Sequence, residues 1–224
     1  FSAKKTFLLN IGVKFLIDFI SAILYFVCIF TKIKNMLYSI YAESTPNPEV
    51  MKFVANRPLT ANSIEVTSED EVKDHLIIIE LFKFTYIKKI YINNNFISIT
   101  KNSEEKWENI VMHIRNYITD ILNNNKNFIS KNNDAVQHKN LKNNNSFSNS
   151  EKEIEKILNE YIRPAVEGDG GEIALKSVEG NIVTVIMKGA CSGCPSASIT
   201  LKNGVEHLLQ TKINKDIKVV AEEI

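Results

Sequence analysis

The chain has 224 residues, 44% of them apolar and 24% charged, with a formal net charge of +1. That is room for one or two domains with real cores, and the near-neutral balance excludes a nucleic-acid binder, which needs a strongly basic face. Three cysteines exclude a disulfide framework and point instead to metal or redox chemistry, because a close thiol pair in a chain of this size is more often one of those.

Residues 1–41 differ from the rest. Lys4, Lys5 and Lys14 precede the first acidic residue, Asp18. Residues 7–30 are dominated by apolar side chains, yet the uncharged run at 19–30 is only about 12 residues, short of the ~20 a bilayer requires. An organellar presequence, a secretory-type signal and a membrane anchor all compete. The short span and the basic, acid-poor composition favour a targeting leader, so we expect no stable membrane association in the mature protein. Cys28 lies in this stretch with no near partner.

A first domain is expected over residues 42–123. The prolines of Thr45-Pro46-Asn47-Pro48 force an extended entry. Residues 50–54 and 64–66 read as strands. Ser68, followed by Glu69, Asp70 and Glu71, predicts an N-cap and a helix that runs on through the apolar residues 76–84. Residues 87–92 and 96–100 flank Asn93-Asn94-Asn95 and predict a hairpin. Trp107, Ile110, Val111, Ile114, Tyr117, Ile118, Ile121 and Leu122 recur at helical spacing and predict one amphipathic helix.

Periodicity is lost over residues 124–150, where Asn, Lys and Ser dominate, so a disordered linker is expected there. The second domain, 151–224, opens on a helical stripe of Ile154, Ile157, Leu158, Tyr161 and Ile162, which Arg163-Pro164 ends or kinks. Glu167-Gly168-Asp169-Gly170-Gly171 reads as a packed turn; it lacks the lysine and hydroxyl residue of a phosphate loop. A second hairpin follows over 172–187, then the cysteine loop, a helix over 195–210 with Ile199, Leu201, Val205, Leu208 and Leu209 inward, and a strand at 217–220. The whole is an α+β protein: two small two-layer α/β-sandwich domains joined by a disordered linker.

Chemistry concentrates at Gly189-Ala190-Cys191-Ser192-Gly193-Cys194-Pro195. Cys194 directly precedes the expected helix, whose positive end and free N–H groups favour thiolates, and Pro195 loses no hydrogen bond at its first position. Gly193 is the residue expected to need positive φ. A disulfide closing so short a loop gains little chain entropy. A dithiol–disulfide oxidoreductase would place the pair in a βαβ context rather than after a hairpin. Zinc wants four ligands, and no second pair exists in the chain; His75, His113, His138 and His207 lack ligand spacing, and His113 and His207 read as surface residues. Zinc held between two chains stays open. Iron–sulfur ligation fits best, because a [4Fe–4S] cluster takes four thiolates, as a [2Fe–2S] cluster also does. Two copies of the chain would each supply Cys191 and Cys194 at a symmetric interface, so a homodimer or larger even assembly is expected.

The run Arg163-Pro-Ala-Val-Glu-Gly-Asp-Gly-Gly-Glu172, with Gly189 to Ser196 and Thr200-Leu-Lys-Asn-Gly204, resembles the C-terminal domain of the Nfu (NifU-like) iron–sulfur scaffold proteins. Thr45-Pro-Asn-Pro48, Met51-Lys-Phe53 and Leu81-Phe82 resemble that family's N-terminal domain. The resemblance implies a non-catalytic role. Such proteins take a cluster from upstream donors and hand it to apo iron–sulfur clients, including lipoyl synthase and respiratory or citric-acid-cycle enzymes. It implies Cys191 and Cys194 as the ligands, and a mitochondrial location, with a plastid-type organelle as the alternative.

Overall fold

The computed structural model describes residues 37–72, 75–102, 104–124, 148–193 and 195–223. The leader expectation for 1–36, the linker expectation for 125–147, Cys28, His138 and Cys194 lie outside the described residues.

The first sheet is built from β1 (Ile40–Ser44), β2 (Val50–Ala55), β3 (Ile64–Val66), β4 (Ile87–Asn93) and β5 (Phe96–Lys101), in the order β1-β2-β5-β4-β3 with every pair antiparallel. The β4–β5 hairpin turns at Asn94 and Asn95, where Asn94 takes a φ of 46°, the left-handed region that Asn tolerates. Alternation along the strands divides the sheet into two faces. On one, Phe53, Ile97, Ile92 and Ile64 stand in register across the strands, beside Ile99, Ile90 and Val66. This apolar face meets α1 (Leu76–Phe82) and α2 (Trp107–Asn124), which bury Ile77, Ile78 and Leu81, and Ile110, Ile114, Ile118 and Leu122. Phe53 and Trp107 pack edge to face, 6.3 Å between centroids.

The other face is polar. Lys52, Ser98, Tyr91 and Glu65 form one cross-strand row. A two-layer sandwich would leave such a row in water. Here it is covered.

The covering part starts with α3 (Asn149–Ile157), capped by Ser148, whose hydroxyl accepts from the Glu151 N–H at 3.3 Å. A π-turn (Leu158–Ile162) leads into α4 (Arg163–Gly168). Then come β6 (Gly171–Glu179), β7 (Ile182–Gly189), α5 (Pro195–Lys212) and β8 (Lys218–Glu223). β6 and β7 form an antiparallel hairpin, and α5 is the crossover that returns β8 parallel to β7. Ile154, Leu158, Val166, Ile173, Val185 and Leu209 are among the side chains of this second core. From Ser39 onward the chain is one compact unit.

Two expectations are corrected, and one that left two outcomes open is resolved. The helix expected from Ser68 is only a 3₁₀ turn, Glu69–Glu71. The Glu71 carboxylate folds back to accept the N–H groups of Thr67 and Ser68, both at 3.0 Å. Val72 then turns extended, φ −138° and ψ 114°, and the helix begins only at Leu76. Arg163-Pro164 kinks rather than ends its helix, because the wider π-turn absorbs the missing proline N–H. Ile199, expected inward, is 60% exposed, whereas Val205 and Leu209 are buried as expected.

Candidate functional site

The cysteine loop leaves β7 at Gly189 and reaches α5 at Pro195. Gly189 and Gly193 both hold positive φ, 63° and 78°, so Gly189 joins Gly193 in needing that conformation. A Cβ at Gly189 would stand 2.6 Å from both the Gly170 carbonyl oxygen and the Tyr91 ring. Only glycine lets β7 turn here.

Cys191 is 7% exposed and belongs to the apolar core of its own domain. Its Sγ lies against Gly171, so closely that a Cβ there would be 2.4 Å from the sulfur. Burial pushes the thiol pKa up from 9.0 to about 12, with the negative charges of Asp169 and Glu65 adding to it. In this arrangement Cys191 is an inward-facing thiol. The expectation that the helix end favours a thiolate bears on Cys194, which lies outside the described residues; at Cys191 desolvation is the leading effect.

The loop is pinned from the first domain. Asn47 Nδ2 donates to the carbonyls of Ala190, at 3.3 Å, and Ser192, at 3.4 Å, on either side of Cys191. The Gly189 N–H donates to Glu65 Oε1 at 2.9 Å. Lys89 Nζ donates to Ser192 Oγ at 2.7 Å and pairs with Glu65 at 3.4 Å. Burial raises the Glu65 pKa, against the opposing pull of Lys89 and of the Gly189 N–H.

The glycine turn before β6 is held by the same polar row. Lys52 Nζ donates to Gly168 O at 2.9 Å, and Ser98 Oγ to Gly170 O at 2.6 Å. The Tyr91 hydroxyl donates to Glu172 at 2.8 Å. Burial, then the Glu172 carboxylate, raises the Tyr91 pKa. Val54, Tyr91 and Phe96 form a small apolar cluster on this face. A cavity of about 370 Å³ opens beside the thiol, lined by Pro46 from the first domain and by Val166, Asp169, Ala190, Cys191 and Leu201 from the second.

Among the described residues no group of three or more His, Cys, Asp or Glu is placed to hold a metal ion. His113 and His207 are exposed. His75 is buried at the start of α1. As site residues, Asn47, Glu65, Lys89, Tyr91 and Ser98 were not singled out from sequence, although Asn47 stands in the Thr45-Pro46-Asn47-Pro48 run. No local pattern marks them, since their partners lie 72 to 145 residues away.

Comparison with known proteins gives two domain matches. A NifU-like domain covers residues 154–220, and a scaffold protein Nfu/NifU N-terminal domain covers residues 40–125. The chain is 28% identical over 177 residues to the human protein "NFU1 iron-sulfur cluster scaffold homolog, mitochondrial", covering 76% of this chain and 66% of that one. It is 29% identical over 191 residues to "NifU-like protein 4, mitochondrial" of Arabidopsis thaliana, covering 82% of this chain and 65% of that one. The chain thus spans just under two thirds of the length of these relatives. Among solved structures, a NifU-like protein from Saccharomyces cerevisiae matches 42% of this chain and 87% of its own at 23% identity, with a TM-score of 0.38.

Proposed function

The chain belongs to the Nfu/NifU-like scaffold family, carrying both of its domains, and on that premise we propose that it binds an iron–sulfur cluster at Cys191 and Cys194 and transfers it to apo-proteins. The observation that carries the reading is the thiol pair in a glycine loop at the mouth of α5, inside the NifU-like domain. One chain offers half of a four-thiolate set. A second copy completes it across a symmetry axis, giving a homodimer or larger even assembly around a [4Fe–4S] or [2Fe–2S] cluster. The cluster is cargo, so we assign no catalytic acid, base or nucleophile. Residues 1–41 act as the leader, 42–123 and 151–224 as the two domains, and 124–150 as the tether. Relatives named as mitochondrial support the mitochondrion as the site of action. The clients proposed are lipoyl synthase-like and respiratory or citric-acid-cycle enzymes.

A dithiol–disulfide oxidoreductase is the second reading; its thiol pair would stand in a βαβ context, whereas here it follows the β6–β7 hairpin.

Anaerobic loading with iron and sulfide tests the proposal. A broad visible band and about two iron atoms per chain are expected if two chains share a four-iron cluster. Cys194→Ala should abolish the band. A protein that stays colourless and monomeric, with both thiols free, overturns the reading, and disulfide reduction without metal would favour the oxidoreductase.

A further inference from the structure

Resting on that reading, we propose that the polar face of the first sheet is an internal latch: it holds the cysteine loop with its thiol inward, and loading a site shared with a second copy requires this face to let go.

The face is built for that contact. Lys52 and Glu65 are 8% and 7% exposed and Ser98 is 1% exposed, on the face of their sheet opposite α1 and α2. Burying such groups is costly unless each finds a partner. The partners are supplied by main-chain atoms around Cys191: the carbonyls of Gly168, Gly170, Ala190 and Ser192 and the N–H of Gly189. The side chains that supply the match come from β2, β3, β5 and the turn before β2. The complementarity therefore belongs to the folded sheet and not to one loop.

The same bonds oppose metal sharing. Cys191 Sγ faces Gly171, within its own domain. To meet a ligand set completed by another chain, the sulfur must turn outward, and the main chain at 190–192 must turn with it. That motion breaks the Asn47 bonds to Ala190 and Ser192 and strains the Gly189 bond to Glu65. Pro46, on the wall of the cavity beside the thiol, has to withdraw as well.

Two substitutions in the full chain release the latch from the first-domain side and leave the cysteine loop unaltered. Asn47→Asp replaces the two donors by a carboxylate that repels both carbonyls. It keeps the oxygen that accepts the Glu49 N–H at 3.1 Å, so the local turn survives. Ser98→Asp sets a carboxylate against Gly170 O, on a face that is open to water once the domains part. Iodoacetamide labelling, read by tandem mass spectrometry to separate Cys191 from Cys194, reports the loop. Each variant should label Cys191 about tenfold faster or more than the wild type, with unchanged far-ultraviolet circular dichroism, and should take up iron and sulfide faster. Unchanged labelling in both variants overturns the latch, whatever the loading. So does faster labelling with no gain in loading rate, in a protein that does load. Faster labelling with no cluster in wild type or variants keeps the thiol-holding contact and removes the scaffold reading, so the two failures are told apart.

Discussion

At the scale of single residues, the pair that matters is Gly171 and Cys191. A glycine in a strand weakens it, and here it makes room for a sulfur. Gly171→Ala would put a methyl 2.4 Å from Sγ and 2.9 Å from the Lys188 carbonyl. Overpacking of this kind costs about 1–3 kcal/mol. Urea denaturation should show that loss as a lower midpoint. In a Cys191→Ala background the sulfur contact is gone and only the main-chain contact remains. A double-mutant cycle should then show a coupling of about 0.5 kcal/mol or more. Additive losses would mean that the thiol has already moved off Gly171. The sequence marked Cys191 as chemistry through its spacing from Cys194. It did not mark Cys191 as core, because a cysteine between alanine and serine carries no periodicity to read.

Among elements, the kinked helical run from Asn149 to Gly168 shows where pattern reading stops. Its apolar spacing was legible, and so was the disturbance at Pro164. What no pattern reveals is that a π-turn carries the chain through it. Arg163 braces the kink. Its Nε donates to the Ile173 carbonyl at 3.1 Å, Nη2 to Glu155 at 2.7 Å, and Nη1 to Asn159. This ties α3 and the π-turn to β6. A lysine has one ammonium where these partners need a planar fork. Arg163→Lys should therefore cost about 1–3 kcal/mol, read from the urea midpoint. Lys83→Ala, which removes an exposed i,i+3 pair with Glu80, should cost no more than about 0.5 kcal/mol in the same assay. Equal effects would show that the brace is an ordinary surface contact. The turn at Ser68 teaches the same lesson. An N-cap with three acidic residues is a helix start by every local rule, and the carboxylate of Glu71 uses those atoms to close one turn instead.

For the whole molecule, each domain was legible and their contact was not. Hydrophobic alternation located β2, β4 and β5, and the helical stripe located α2, because burying an apolar face leaves a period in the sequence. Nothing in their own strands marks Lys52 and Ser98 as buried. Their burial depends on a partner domain that no local window contains. X-ray scattering can follow that contact in the full chain. The unloaded protein should be more compact per chain than the loaded assembly, since loading parts the domains. A loaded assembly with each protomer equally compact would contradict this. One trait of the contact reaches further. The first sheet grips the loop chiefly by amide and carbonyl groups, which every residue type carries alike. Such a grip reads contour more than lettering, so it would accept the equivalent loop of a sister molecule as readily as its own.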